Sequence, residues 1–96
     1  MAEPTFEWDD AKDRSNQNKH GVSFTVAQLA FLDSSRVIVP DLSHSDGEQR
    51  YFCFGLVGDG VMTVRFTWRA QRIRIIGAGY WRKGKVIYER ENQIHR

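Results

Sequence analysis

The stretch VMTVRFTWRAQRIRIIGA, residues 61–78, decides the fold. Successive side chains of a strand point to opposite faces, so alternation sorts them. Met62, Val64, Phe66 and Trp68 share one face, and Thr63, Arg65, Thr67 and Arg69 share the other. After a turn at Ala70-Gln71, Ile73 and Ile75 oppose Arg72 and Arg74. Two such runs joined by a short turn predict an antiparallel pair with its arginines gathered on one side. The apolar side must be covered.

Working outward, QRYFCFGLV at residues 49–57 precedes this pair across Gly58-Asp59-Gly60. That is a hairpin signal, with Gly58 and Gly60 available for positive φ. RVIVPD at residues 36–41 reads as a further strand, Pro40 marking its end or a sheet edge, and LSHSDGE at residues 42–48 reads as a loop. A helix over residues 23–32 supplies the cover. Ser23 is its N-cap, Val22 and Ala27 are spaced as a hydrophobic staple, and Phe24, Ala27 and Phe31 form an apolar line. Ahead of it a short strand is expected at residues 5–8, then a helix from Asp9 or Asp10 to His20. Gly21 stands where a left-handed glycine ends a helix. Beyond the sheet, Tyr80, Ile87 and Ile94 recur every seven residues, as do Trp81 and Tyr88, which predicts a last helix over residues 80–93. Gly84 weakens it by roughly 1 kcal/mol unless close packing uses the space. The expected fold class is α+β: two N-terminal helices, an antiparallel sheet of four or five strands and a C-terminal helix. Residues 1–96 are expected to form a single domain.

Of the 96 residues, 41% are apolar and 27% charged, the balance of a globule rather than a disordered tail. No run approaches the roughly 18 apolar residues of a membrane span, so no membrane association is expected. The opening MAEPTFEW lacks a basic start and an apolar core, and Cys53 is the only cysteine; a cytoplasmic location is expected. In an apolar strand Cys53 reads as a small buried hydrophobe. Charge is divided along the chain. Residues 1–48 hold 4 Lys/Arg against 9 Asp/Glu, a net of −5, and residues 49–96 hold 10 against 3, a net of +7. A basic half of this kind suits a polyanion; the plain alternative is a solvated face, or a dock for an acidic protein.

FEWDDAKDRSNQNKHGVSF, residues 6–24, resembles the opening of the BrnT toxin family. The shared features are Phe-x-Trp-Asp, a lysine four residues after the tryptophan, an asparagine (Asn16 or Asn18) and Lys19-His20-Gly21-Val22-Ser23-Phe24. FLD at residues 31–33, EQRYFCFG at residues 48–55 and RIRII at residues 72–76 extend the likeness. The resemblance implies a RelE-like fold and the toxin of a type II toxin–antitoxin pair. It implies cleavage of RNA, neutralisation by a BrnA-type antitoxin with a ribbon-helix-helix DNA-binding part, and DNA contact only through that antitoxin in repressing the operon. One departure follows Arg74-Ile75-Ile76. There the family reads Ser-Ala-Arg-Lys/Arg-Ala and this chain reads Gly77-Ala78-Gly79-Tyr80-Trp81, so an arginine expected at Gly79 is missing. Arg82 and Lys83 restore charge one turn later. The departure raises the alternative of a catalytically weakened module that binds nucleic acid or antitoxin in co-repression.

Metal-free RNA cleavage by the 2′-hydroxyl needs a base, cations for the charge on phosphorus, and an acid for the leaving oxygen. The candidate catalytic residues are His20, Arg50, Arg74 and Glu48. The candidate RNA-binding residues are Trp8, Lys19, Arg65, Arg72, Tyr80, Arg82 and Lys83, with Trp8 and Tyr80 stacking on bases. Histidine titrates nearest neutrality and suits either proton role; the alternative is a helix-ending side chain bonded to a carbonyl. For the arginines and Glu48 the alternative is surface charge, with the arginines paired to the acidic DDAKD segment. Trp68 and Trp81 are expected in the core. No cofactor and no metal are expected: His44 and Asp46 lack a third ligand at metal spacing, and GAG at residues 77–79 is no dinucleotide fingerprint.

Overall fold

The computed structural model describes residues 5–43 and 47–94, so His44 and Asp46 lie outside the described residues. The elements run β1 (Phe6–Glu7), α1 (Asp10–His20), α2 (Phe24–Ala27), a 3₁₀ turn (Gln28–Leu32), β2 (Val37–Pro40), β3 (Arg50–Val57), β4 (Gly60–Arg69), β5 (Arg72–Gly79) and α3 (Arg82–Glu91). The class is α+β, with three α-helices on a five-stranded sheet of order β1-β5-β4-β3-β2. The sheet is mixed, which corrects the expectation of an antiparallel one. Strands β2 to β5 pair antiparallel, but β1 runs parallel to β5, with Phe6 opposite Ile73 and Glu7 opposite Arg74. A strand's direction relative to a distant partner leaves no mark in its own alternation, so the local pattern could not reveal it.

The β3–β4 hairpin turns on Gly58 at φ 63°. Gly60 does not share that task. It opens β4 beneath Tyr80, where an added Cβ would come within 3.0 Å of the Tyr80 ring. The β4–β5 turn places Ala70 and Gln71 at φ 51° and 65°. Two successive left-handed residues form the primed turn whose twist suits a hairpin, here made without glycine and under strain.

On one sheet face Phe24, Ala27, Ala30 and Phe31 pack over Cys53, Met62, Val64, Phe66, Ile73 and Ile75, all buried. The helix expected over residues 23–32 makes one α-turn and then tightens into 3₁₀. The tightened turn lays its backbone on β3: a Cβ at Gly55 would strike the Ala30 carbonyl. Burial pushes the Cys53 thiol up to about 12, as its apolar setting requires.

On the other face α3 covers Phe54, Val61 and Thr63. Gly84 makes the approach possible, since a Cβ there would collide with Thr63 Oγ1 and lie 2.9 Å from Phe54. The glycine penalty is therefore offset by packing. Helix α3 begins at Arg82 and ends at Glu91, short of the expected 80–93 at both ends. Asp33 fastens the layers together. Its carboxylate accepts from the Leu56 amide at 2.8 Å, the Ser35 amide at 2.8 Å and the Tyr88 hydroxyl at 2.6 Å. No helix among the described residues is long and apolar enough to cross a membrane.

Candidate RNA-binding cleft

Helix α1 contains a single apolar residue, Ala11, and has no apolar stripe to bury. Asp9 caps it by accepting from the Lys12 amide at 3.0 Å, and Gly21 ends it at φ 68°. Polar anchors hold it in place. Asn16, the buried residue of the helix, donates to the Val22 carbonyl at 2.8 Å and the Ala78 carbonyl at 2.9 Å, and accepts from the Ala78 amide at 3.2 Å. Both polar groups of Ala78 thus bond on the side away from β4. The Asn16 amide stands there as a further strand would, beyond the point where β1 stops pairing. Of the two asparagines that could hold the motif's place, Asn16 is buried and Asn18 exposed. Asp13 adds a bond from the Phe24 amide at 2.9 Å.

Strand β5 carries a bulge at the same point. Arg65 pairs with Gly77 and Phe66 with Ile75, so Ile76 is the extra residue. An inserted residue reverses the alternation beyond it. Ala78 therefore joins Val64 in the core, and Gly77 and Gly79 turn to the arginine face. Across that face lie three rows: Arg50, Thr67 and Arg74; then Phe52, Arg65 and Gly77; then Phe54, Thr63 and Gly79. Helix α3 covers Phe54 and Thr63 of the last row, and Phe52 of the middle row packs against the cluster that includes Tyr88 of α3.

Between the end of α1 and the middle row opens a cleft of about 350 Å³. Lys12, Lys19 and His20 reach it from α1, Arg65 from β4, and Trp81 from the residue before α3; none of the described residues lining it is acidic. Arg65 Nε is buried and hydrogen-bonds to none of the described residues. A desolvated guanidinium edge is costly unless an acceptor reaches it. The His20 and Trp81 rings meet edge to face, their centroids 5.0 Å apart.

The structure thus brings Lys19, His20 and Arg65 together and leaves the other candidates outside the cleft. Arg74 is on the same sheet face but bonds Glu7 at 2.9 Å, and Arg72 lies 3.8 Å from the same carboxylate. The acid in contact with these arginines is Glu7 on β1; of the DDAKD segment, Asp9 feels the Arg74 charge. Arg50 shares the Arg74 row. Glu48 forms a two-pronged ion pair with Arg69 at 3.1 Å. Trp8 packs edge-on against Phe24, with centroids 6.2 Å apart, on the apolar face. Tyr80 turns to that side as well, donating to the Val57 carbonyl at 3.0 Å. Arg82 and Lys83 are exposed in the first turn of α3, whose N-cap offers no side-chain bond.

Two expectations of burial are corrected: Trp68 is 52% exposed and Trp81 42% exposed. The alternation put Trp68 on the apolar face correctly, but α2 and the 3₁₀ turn do not extend over its end of β4. Lys12 escaped notice as a site residue, though its signal was present. Lys12, Asn16 and Lys19 recur at four and three residues, one stripe of a helix. Trp81 had no comparable signal, because a ring before a helix reads the same whether it lines a cleft or a core.

A search of curated proteins found no match to the chain. The sequence model of one protein family, described as "Ribonuclease toxin, BrnT, of type II toxin-antitoxin system", matches residues 8–84.

Proposed function

The chain belongs to the BrnT family of type II toxin–antitoxin ribonuclease toxins, and from that premise we propose that the cleft beside α1 is its RNA-cleaving site. The observation that carries the reading is the convergence of Lys12, Lys19 and His20 from one helix with Arg65 from the sheet. The reaction is metal-independent. The ribose 2′-oxygen attacks the adjacent phosphorus, the bond to the 5′-oxygen breaks, and a 2′,3′-cyclic phosphate and a free 5′-hydroxyl result. His20 moves the proton at one of the two oxygens, taking it from the 2′-hydroxyl or giving it to the departing 5′-oxygen, and solvent water carries the other transfer. Arg65 and the two lysines hold the negative charge that grows on the phosphoryl oxygens, where placed cations act most strongly. Arg50, one row along the sheet, guides the RNA backbone away from the cleft, with Arg82 and Lys83 adding long-range attraction, while Arg72 and Arg74 are engaged by Glu7.

A type II toxin has a protein antitoxin as partner. We take that antitoxin as BrnA-type, with a ribbon-helix-helix part through which alone the complex meets DNA, and the scaffold as RelE-like. A second reading draws on Gly79 and Tyr80, which stand where the resemblance leads one to expect two cations: a weakened module that binds RNA or antitoxin and acts in co-repression. Purified protein incubated with RNA in EDTA separates the two. Cutting that persists in EDTA and disappears in His20→Ala and Arg65→Ala supports the ribonuclease site. Intact RNA with retained, salt-sensitive binding favours the second reading.

A further inference from the structure

Trp81 sets a large ring in a cleft that Lys12, Lys19, His20 and Arg65 share with the apolar Phe52 and Ile76, and three observations place it there. Its neighbour Tyr80 is tied to the opposite side of the sheet through the Val57 carbonyl. The six-membered part of the indole lies against the bare backbone of Gly79, where an added Cβ would be 2.6 Å from Cη2. The ring also meets His20 at 5.0 Å between centroids while remaining 42% exposed. A ring held from below by a glycine, beside a histidine and within one cleft of Lys19 and Arg65, is a platform next to a phosphate grip. In single-stranded RNA each phosphate is flanked by bases, and every base has a π-face that stacks on an aromatic side chain.

We propose that Trp81 is a nucleobase-stacking residue, seating the base next to the phosphate that Lys19 and Arg65 hold. The inference rests on the RNA-cleft reading and deepens it. Stacking swings the base out of the strand's own stack and so helps align the 2′-oxygen with phosphorus and the leaving oxygen. Gly79 is part of the device, because any side chain there displaces the indole.

The test uses two non-cleavable tetranucleotides, both 2′-O-methylated and one lacking its internal bases, titrated against the full chain. For Trp81→Ala, affinity for the base-bearing probe should fall roughly 5- to 100-fold, with affinity for the abasic probe unchanged. Trp81→Phe should keep most of the affinity but lose the indole fluorescence quenching that the base-bearing probe causes, since Trp8 and Trp68 remain as unquenched reporters. Lys19→Ala should weaken both probes alike. Equal loss on both probes in Trp81→Ala, no loss on either, or quenching that survives in Trp81→Phe would overturn the stacking role while leaving the RNA cleft standing. Wild-type protein that binds neither probe would overturn both readings. Thermal unfolding of Trp81→Phe near that of wild type guards against a folding artefact.

Discussion

An asparagine side chain and a peptide group offer the same donor and acceptor, and Asn16 uses that identity to close the edge of β5. Asn16→Ala strands the Ala78 amide and carbonyl and the Val22 carbonyl in a buried site. Each stranded group costs about 1–3 kcal/mol. We expect a loss of at least about 2 kcal/mol in urea unfolding, and RNA cleavage should fall although Asn16 need not touch the substrate. A second prediction concerns Asp33 and Tyr88. Burial opposes the Asp33 charge, but bonds from Leu56, Tyr88 and Ser35, with the Arg36 charge, outweigh it and hold the carboxyl below its usual value. A lowered carboxyl adds stability above its unfolded pKa of about 4 and loses it as pH falls through the folded value. Tyr88 has the opposite sign. Burial and then the Asp33 bond push its phenol up to about 12. Its contribution is complete below its unfolded value of about 10 and is lost as pH rises through the folded one. Asp33→Asn should therefore flatten the acid limb, and Tyr88→Phe the alkaline limb, of the denaturation midpoint plotted against pH. That Asp33 would matter was not legible from FLD alone, because its partners Leu56 and Tyr88 lie 23 and 55 residues away.

The elements differ in how openly the chain announces them. The caps of α1, the hairpins and the facing of β4 follow from rules that act within a few residues, and they agree with the structure. The turn at Ala70-Gln71 obeys them only in length. Two left-handed L-residues cost roughly 1–2 kcal/mol apiece, and Asn-Gly accepts that conformation readily. The double substitution Ala70→Asn with Gln71→Gly should raise stability by about 1–2 kcal/mol, read as a higher denaturation midpoint with an unchanged slope. The bulge is the more consequential departure. Ile75 and Ile76 are adjacent apolar residues in a run that otherwise alternates, and that doubled isoleucine was its one local trace. It turns the small residues Gly77 and Gly79 to the arginine face, where Trp81 needs the room above Gly79.

At the scale of the whole molecule, the acidic half of the chain contributes Lys12, Lys19 and His20 to a cleft whose guanidinium comes from the basic half. Charge counts along the chain therefore mislead about which cations act. Arg69 and Arg74 spend their charge on Glu48 and Glu7, whereas no described acid lines the cleft. The salt dependence of RNA binding should show the difference. Each phosphate neutralised adds about 0.7 to the slope of log affinity against log salt for a single strand. Lys19→Ala and Arg65→Ala should each lower the slope by about that amount, and Arg69→Ala should leave it nearly unchanged.

The amino-acid order alone determined the α+β class, the arginine side of the sheet, the ends of the first helix and the likeness to a toxin family. Each of these depends on periodicity or on contacts a few residues apart. Only the tertiary structure decided that β1 runs parallel to β5, that Arg65 rather than Arg74 shares a cleft with His20, and that Trp81 faces that cleft. Those outcomes hang on the Asn16 bonds to Ala78, which span 62 residues, and on a bulge that reverses a strand's facing. Contacts of such separation are settled by how whole layers pack, which no local pattern encodes.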